Sequence, residues 1–117
     1  MRDLQALGLE AGRRSFEAFR TSHPGSVLIG EGYNALGAAH LREGRYREAA
    51  LDFLIGFRDH PERMGPDNMI GLGETLFALG RTQEACDTLG AVDERFPGAG
   101  ADALNAAAAA ARRGGCS

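Results

Sequence analysis

The chain has no tryptophan, and aromatic residues are only 7% of it, so it cannot be built around one large aromatic core. No apolar run approaches the roughly 20 residues that a helix needs to cross a bilayer. Lys and Arg number 13 against 16 Asp and Glu, a net charge of −3, which argues against a nucleic-acid surface, normally strongly basic. His40 stands alone on a helical stretch with no His, Cys or carboxylate at a metal-chelating spacing, and no metal or other cofactor is expected. A glycine-x-glycine occurs at Gly30 to Gly32 and at Gly71 to Gly73, but inside helical patterns and without the preceding strand of a phosphate loop. No Ser, His and Asp set stands out, which leaves an enzyme as the remote reading. Met1-Arg2-Asp3 leads straight into a mixed segment with no signal peptide, so the chain reads as a cytoplasmic protein or an excised domain.

What the chain does have is a repeat. Residues 36 to 61 read LGAAHLREGRYREAALDFLIGFRDHP, and residues 72 to 97 read LGETLFALGRTQEACDTLGAVDERFP. A constant shift of 36 places Leu36 and Gly37 on Leu72 and Gly73, Gly44 on Gly80, Ala49 on Ala85, Phe53 on Leu89 and Pro61 on Pro97. A fixed period of that size signals a repeat architecture. Gly44 and Gly80 each divide two runs with helical spacing and suit a left-handed helix cap. Pro61 and Pro97 stop the second helix of each unit. Gly37 with Ala49, and Gly73 with Ala85, supply the small side chains that a close helix crossing needs, and Phe53 and Leu89 fill the wedge to the next helix. The expected fold is all-α, a stack of helical hairpins.

The pattern resembles the tetratricopeptide repeat, through Tyr33, Leu36, Gly37, Gly44, Ala49, Phe53 and Pro61. Met69 and Leu89 replace the two aromatics in the next unit, and the period exceeds the family's usual 34, which implies longer loops between units.

Residues 1–9 form the weakest stretch: Leu4 and Leu7 could open a helix, but Gly8 and Gly12 count against it. Glu10 to Ser22, with Phe16 and Phe19 before His23-Pro24, reads as the second helix of an earlier unit, so about two and a half units are expected within 10–113. Ser26 and Thr82 are candidate N-caps, and Pro66 suits a first helical position. Ala101 to Arg113 is nearly pure alanine, the best helix former. It reads as the terminal cap that a repeat stack requires, anchored by Leu104. Residues 114–117 read as a flexible tail. His23 and His60 hold one place in successive units and Phe96 the same place in the third, which fits packing of a flat ring. His40 falls on Leu76 one unit later and is expected in the core.

Cys86 and Cys116 admit two readings. If the last helix folds back about Gly98, its end returns beside the start of the Thr82 helix, and Gly114-Gly115 let Cys116 reach Cys86. Otherwise they are unrelated thiols, one buried and one frayed. A bond would suit an oxidising compartment.

From about residue 10 to 116 the chain resembles the C-terminal repeat domain of the Tol–Pal-associated cell division coordinator of Gram-negative bacteria. The likeness rests on Phe16 to Phe19 before Pro24-Gly25-Ser26, the long loops after each proline, the Leu72-Gly73 pair, the run Gly80 to Leu89 with Glu84-Ala85-Cys86, and a cysteine near the end. The resemblance implies a periplasmic, non-enzymatic adaptor that binds the inner-membrane protein TolA. It would couple outer-membrane constriction to septal peptidoglycan synthesis through a penicillin-binding protein. Members carry a signal sequence and a trimerising coiled coil before the repeats, and neither is in these residues.

In such a stack the first helices line the concave side. Glu31, Asn34, Leu41, Arg42, Asp67, Ile70, Glu74 and Phe77 are expected there, with Leu41, Ile70 and Phe77 as apolar groups without a core duty. Exposed apolar residues rimmed by charge mark a protein-binding site, and the acidic neighbours favour a Lys-rich partner. The competing reading is a cytosolic scaffold or co-chaperone module. A chaperone-tail clamp needs Lys, Arg and Asn on this face to hold a carboxylate, and the carboxylates here disfavour it. An outer-membrane assembly lipoprotein would need an N-terminal lipidated cysteine, which these residues lack.

Overall fold

The structure, a computed structural model, describes residues 2–117, with side chains from Gly8 onward. Leu4 and Leu7 therefore lie outside the described side chains. The described residues form seven helices and no strand: α1 (Arg2–Ser22), α2 (Ile29–Arg42), α3 (Tyr46–Asp59), α4 (Gly65–Ala78), α5 (Thr82–Gly90), α6 (Val92–Arg95) and α7 (Ala101–Arg113). They make a tetratricopeptide-like stack of hairpins, α2 with α3 and α4 with α5. Each new first helix packs on both members of the hairpin before it: α4 on α2 and α3, α7 on α4 and α5.

The 36-residue period is visible as geometry. Gly44 and Gly80 turn each hairpin at φ 74° and 79°, a conformation that side chains with a Cβ resist. The amides after these turns, Arg45 and Arg81, donate to the carbonyls of His40 and Leu76, which closes the end of each first helix. Phe53 is the wedge. Its ring fills the space that a Cβ on Gly37 of α2, or on Gly71 of α4, would occupy. One ring thus joins two hairpins, and its burial contributes about 1.5–3 kcal/mol. Leu89 fills the same place against Gly73. Ala49 and Ala85 are both 0% exposed.

Several expectations need correction. The first helix runs unbroken from Arg2 through Gly8 and Gly12. Each glycine costs roughly 1 kcal/mol against alanine, but Leu9, Glu10 and Ala11 between them favour helix. Neither Ser26 nor Thr82 caps a helix by its side chain. Ser26 Oγ instead accepts from the Leu28 amide in the approach to α2, and Arg81 braces the start of α5 by donating to Glu84. The second helix of the last hairpin breaks at Ala91 into α5 and α6.

The largest correction concerns α7. Leu104 is not its anchor: it is 38% exposed, while Ala107 and Ala110 are buried. The alanines allow α7 to lie close on α4 and α5, completing a core of Met69, Ile70, Leu89 and Val92 with Phe57, Phe77 and Phe96 packed against it. Nor does the tail hang free. Gly114 sits under the Phe77 ring, the Cys116 amide donates to the Ala111 carbonyl, and Cys116 is bonded to Cys86 with Cα atoms 5.7 Å apart.

Candidate functional site

Helices α2, α4 and α7 wall a concavity of about 390 Å³. The period puts one face of each first helix on the same side. Six of the eight expected residues line it: Asn34, Leu41, Arg42, Asp67, Ile70 and Glu74. Glu31 and Phe77 do not.

The structure gives both absentees another partner. Glu31 pairs with Arg63 in the loop before α4 at 3.1 Å. Phe77 turns toward α7 and covers Gly114. Ile70 lines the concavity but is 8% exposed and belongs to the core. Neither Ile70 nor Phe77 is thus a free apolar group. Met64, at the approach to α4, and Ala38 and Ala106 supply further apolar lining.

The electrostatics also differ from the acidic face read from the chain. Glu74 pairs with Arg113 at 3.4 Å, linking α4 to α7. With Glu31 held by Arg63, the carboxylates of Glu31, Asp67 and Glu74 stand beside the guanidinium groups of Arg42, Arg63 and Arg113. The surround is therefore mixed in sign. Among the described residues, Arg42 and Asp67 make no ion pair. Exposed pairs such as Glu74 with Arg113 contribute little, so an incoming charge can exchange with either member.

Beneath the concavity lies a polar link that the sequence reading missed. Asn34 Nδ2 donates to Asn68 Oδ1 at 3.1 Å, and Asn68 Nδ2 donates to the Gly30 carbonyl at 3.1 Å. Asn68 is 0% exposed, and Gly56 of α3 makes room for it, since a Cβ there would strike its amide. A second missed link lies away from the concavity, where His40 Nδ1 is 2.6 Å from Asp52 Oδ2. This pair ties α2 to α3, so His40 is buried as expected but in a polar contact. Burial raises the Asp52 carboxyl above its ordinary range, and the His40 hydrogen bond offsets part of that rise. The ring sites at the helix ends are packing contacts: His23 stacks on Phe19, His60 on Tyr33, and Phe96 meets Phe57 edge-on.

Among the described residues no three His, Cys, Asp or Glu side chains gather as a metal site, and no helix is long and apolar enough to cross a membrane. The arrangement offers shape, a small apolar floor and charge of both signs. No protein-family model matches the chain, and no curated protein matches it in sequence.

Proposed function

We propose that this domain is a non-enzymatic protein-binding module that holds a segment of a partner protein in the concavity between α2, α4 and α7. The observation that carries this reading is the convergence of Asn34, Leu41, Arg42, Asp67 and Glu74 from two repeats on one open hollow with an apolar floor. Hollows of a few hundred Å³ with a few placed polar groups are typical binding sites. An open one between helices takes a peptide segment laid in as helix or extended chain. The mixed surround calls for a partner segment with a small apolar anchor flanked by both signs of charge, in place of a purely Lys-rich one.

The more specific reading is an adaptor in the periplasm that coordinates envelope constriction with septal wall synthesis. It rests on the resemblance to the Tol–Pal-associated coordinator, with TolA as partner and a penicillin-binding protein as a second one. The Cys86–Cys116 bond supports an oxidising compartment and favours this reading over a cytosolic scaffold.

The test is calorimetric titration of the oxidised domain with a purified TolA fragment. Asp67→Arg and Glu74→Lys alter exposed residues, so the melting temperature should hold while each weakens binding by about tenfold, roughly 1.4 kcal/mol. Binding equal to that of the parent by both variants would remove the concavity as the site. No binding by the parent would remove TolA as the partner.

A further inference from the structure

The two ends of the stack are complementary. Helix α1 stands one period before α3: a shift of 37 places Gly12 on Ala49 and Phe16 on Phe53. It is a second-type helix, yet it packs on α2 alone among the described helices, and within residues 2–117 no first helix of its own unit is paired with it. At the other end α7 is a first-type helix, seated on α4 and α5 as α4 is seated on α2 and α3. No second-type helix is paired with it within residues 2–117. The space where one would lie is a hollow of about 580 Å³ between α5 and α7.

We propose that a second copy of this chain fills that hollow with its α1, so that α7 of one copy and α1 of the next form a hairpin-like unit between them. The repeat register predicts the contacts. Inside one copy, Arg13, Phe16, Glu17 and Arg20 of α1 share a small cavity with Leu51 and Asp52 of α3. Seventy-three residues on, those four positions are Cys86, Leu89, Gly90 and Asp93, and all four line the hollow at the far end. The position equivalent to Leu51 on α1 is Arg14. An incoming α1 therefore brings Arg14 to Asp93.

Charge favours this occupant. Among the described residues the hollow's charged side chains are Asp87 and Asp93, both acidic, whereas the exposed Arg14 lies on the face of α1 that would enter it, Arg13 and Arg20 being turned to α3 of their own copy. The outer side of α7 also lacks the charge that a solubilising end cap carries. No charged residue lies between Asp102 and Arg112, and the exposed Leu104 lines the hollow. Such an interface joins two different surfaces, so it extends a chain of copies unless the rotation closes a ring. It does not use the concavity, and its failure would leave the binding reading untouched.

The experiment is sedimentation of the oxidised 117-residue chain over rising concentration. Gly12→Arg blocks α1, where nothing lies near an added Cβ, and Ala108→Arg blocks the exposed side of α7. Circular dichroism confirms that each variant is folded. The expected results are parent mass growing beyond a dimer, each variant monomeric alone, and an equimolar mixture giving dimers and nothing larger. Arg14→Asp or Asp93→Arg alone should weaken association about two- to fivefold, the worth of an exposed pair, and the double reversal should restore it. A parent monomeric up to about 1 mM, the weak end of measurable affinity, would overturn the proposal. So would a mixture that stays monomeric, or association abolished by Gly12→Arg and untouched by Ala108→Arg.

Discussion

Asn34 donates to Asn68 across 3.1 Å, joining a residue that lines the concavity to one that is wholly buried. Through this bond the core sets the position of a binding-site side chain. Asn68 also donates to the Gly30 carbonyl of α2, tying α4 to that helix. Asn68→Ala removes both of these bonds and frees Asn34. The expected loss is about 1–3 kcal/mol in urea unfolding. A variant as stable as the parent would mean that the bond contributes nothing.

The Phe53 wedge makes an opposite pair of predictions for glycine. Alanine in place of a helical glycine ordinarily stabilises by about 1 kcal/mol. At Gly71 the new methyl would strike the Phe53 ring, and overpacking costs about 1–3 kcal/mol, so Gly71→Ala should lower the melting temperature. At Gly12, where nothing lies nearby, the same change should raise it. Ala49→Leu should destabilise by a similar 1–3 kcal/mol, because Ala49 has no exposed surface. Equal shifts for Gly71→Ala and Gly12→Ala would contradict the wedge.

Asp52 predicts a pH dependence. Burial lifts its carboxyl above the ordinary value of 3.8, only partly offset by His40. The native state then keeps the proton longer than the unfolded chain. Stability from this group is fully present below the unfolded value and is lost as pH rises through the raised one. The carboxyls of Glu48 and Asp59 are lowered, the first chiefly by its own backbone amide and the second by Arg58. They act with the opposite sign, gaining as pH rises, so the comparison must be with Asp52→Asn. As pH rises from below the ordinary value of 3.8 through the raised one, the parent should lose stability relative to that variant. A constant or growing advantage for the parent in denaturant titrations would count against a raised carboxyl.

The disulfide closes a separation of 30 residues that includes all of α7. By loop-closure entropy alone, opening it should cost about 3–4 kcal/mol. Because α7 covers Ile70 and Phe77, its release should also expose apolar surface to a hydrophobic dye. Cys116→Ser with an unchanged melting temperature would show that α7 holds without the bond.

The hairpins were legible because glycine, alanine and aromatic residues recur at one period: Gly44 and Gly80 turn the chain, and Phe53 spans two units. The end of the stack was not. A run of alanines has no apolar contrast along the helix, so nothing in it showed that Ala107 and Ala110 face inward and Leu104 outward. The fates of Ile70 and Phe77 depend on that helix and were hidden with it. The pairs Glu31 with Arg63 and Glu74 with Arg113 join distant parts of the chain, and neither follows the repeat. Asn68 reads as an ordinary helical polar residue until Gly56 is known to open a place for it.

Whether the concavity receives a protein partner is read directly by nuclear magnetic resonance of the ¹⁵N-labelled oxidised domain titrated with the TolA fragment. Amide shifts should concentrate at Asn34, Leu41, Asp67 and Glu74, with Leu51 on α3 and Gln83 on α5 unmoved. Shifts centred on α3 and α5, or no shift at saturating fragment, would contradict binding in the concavity.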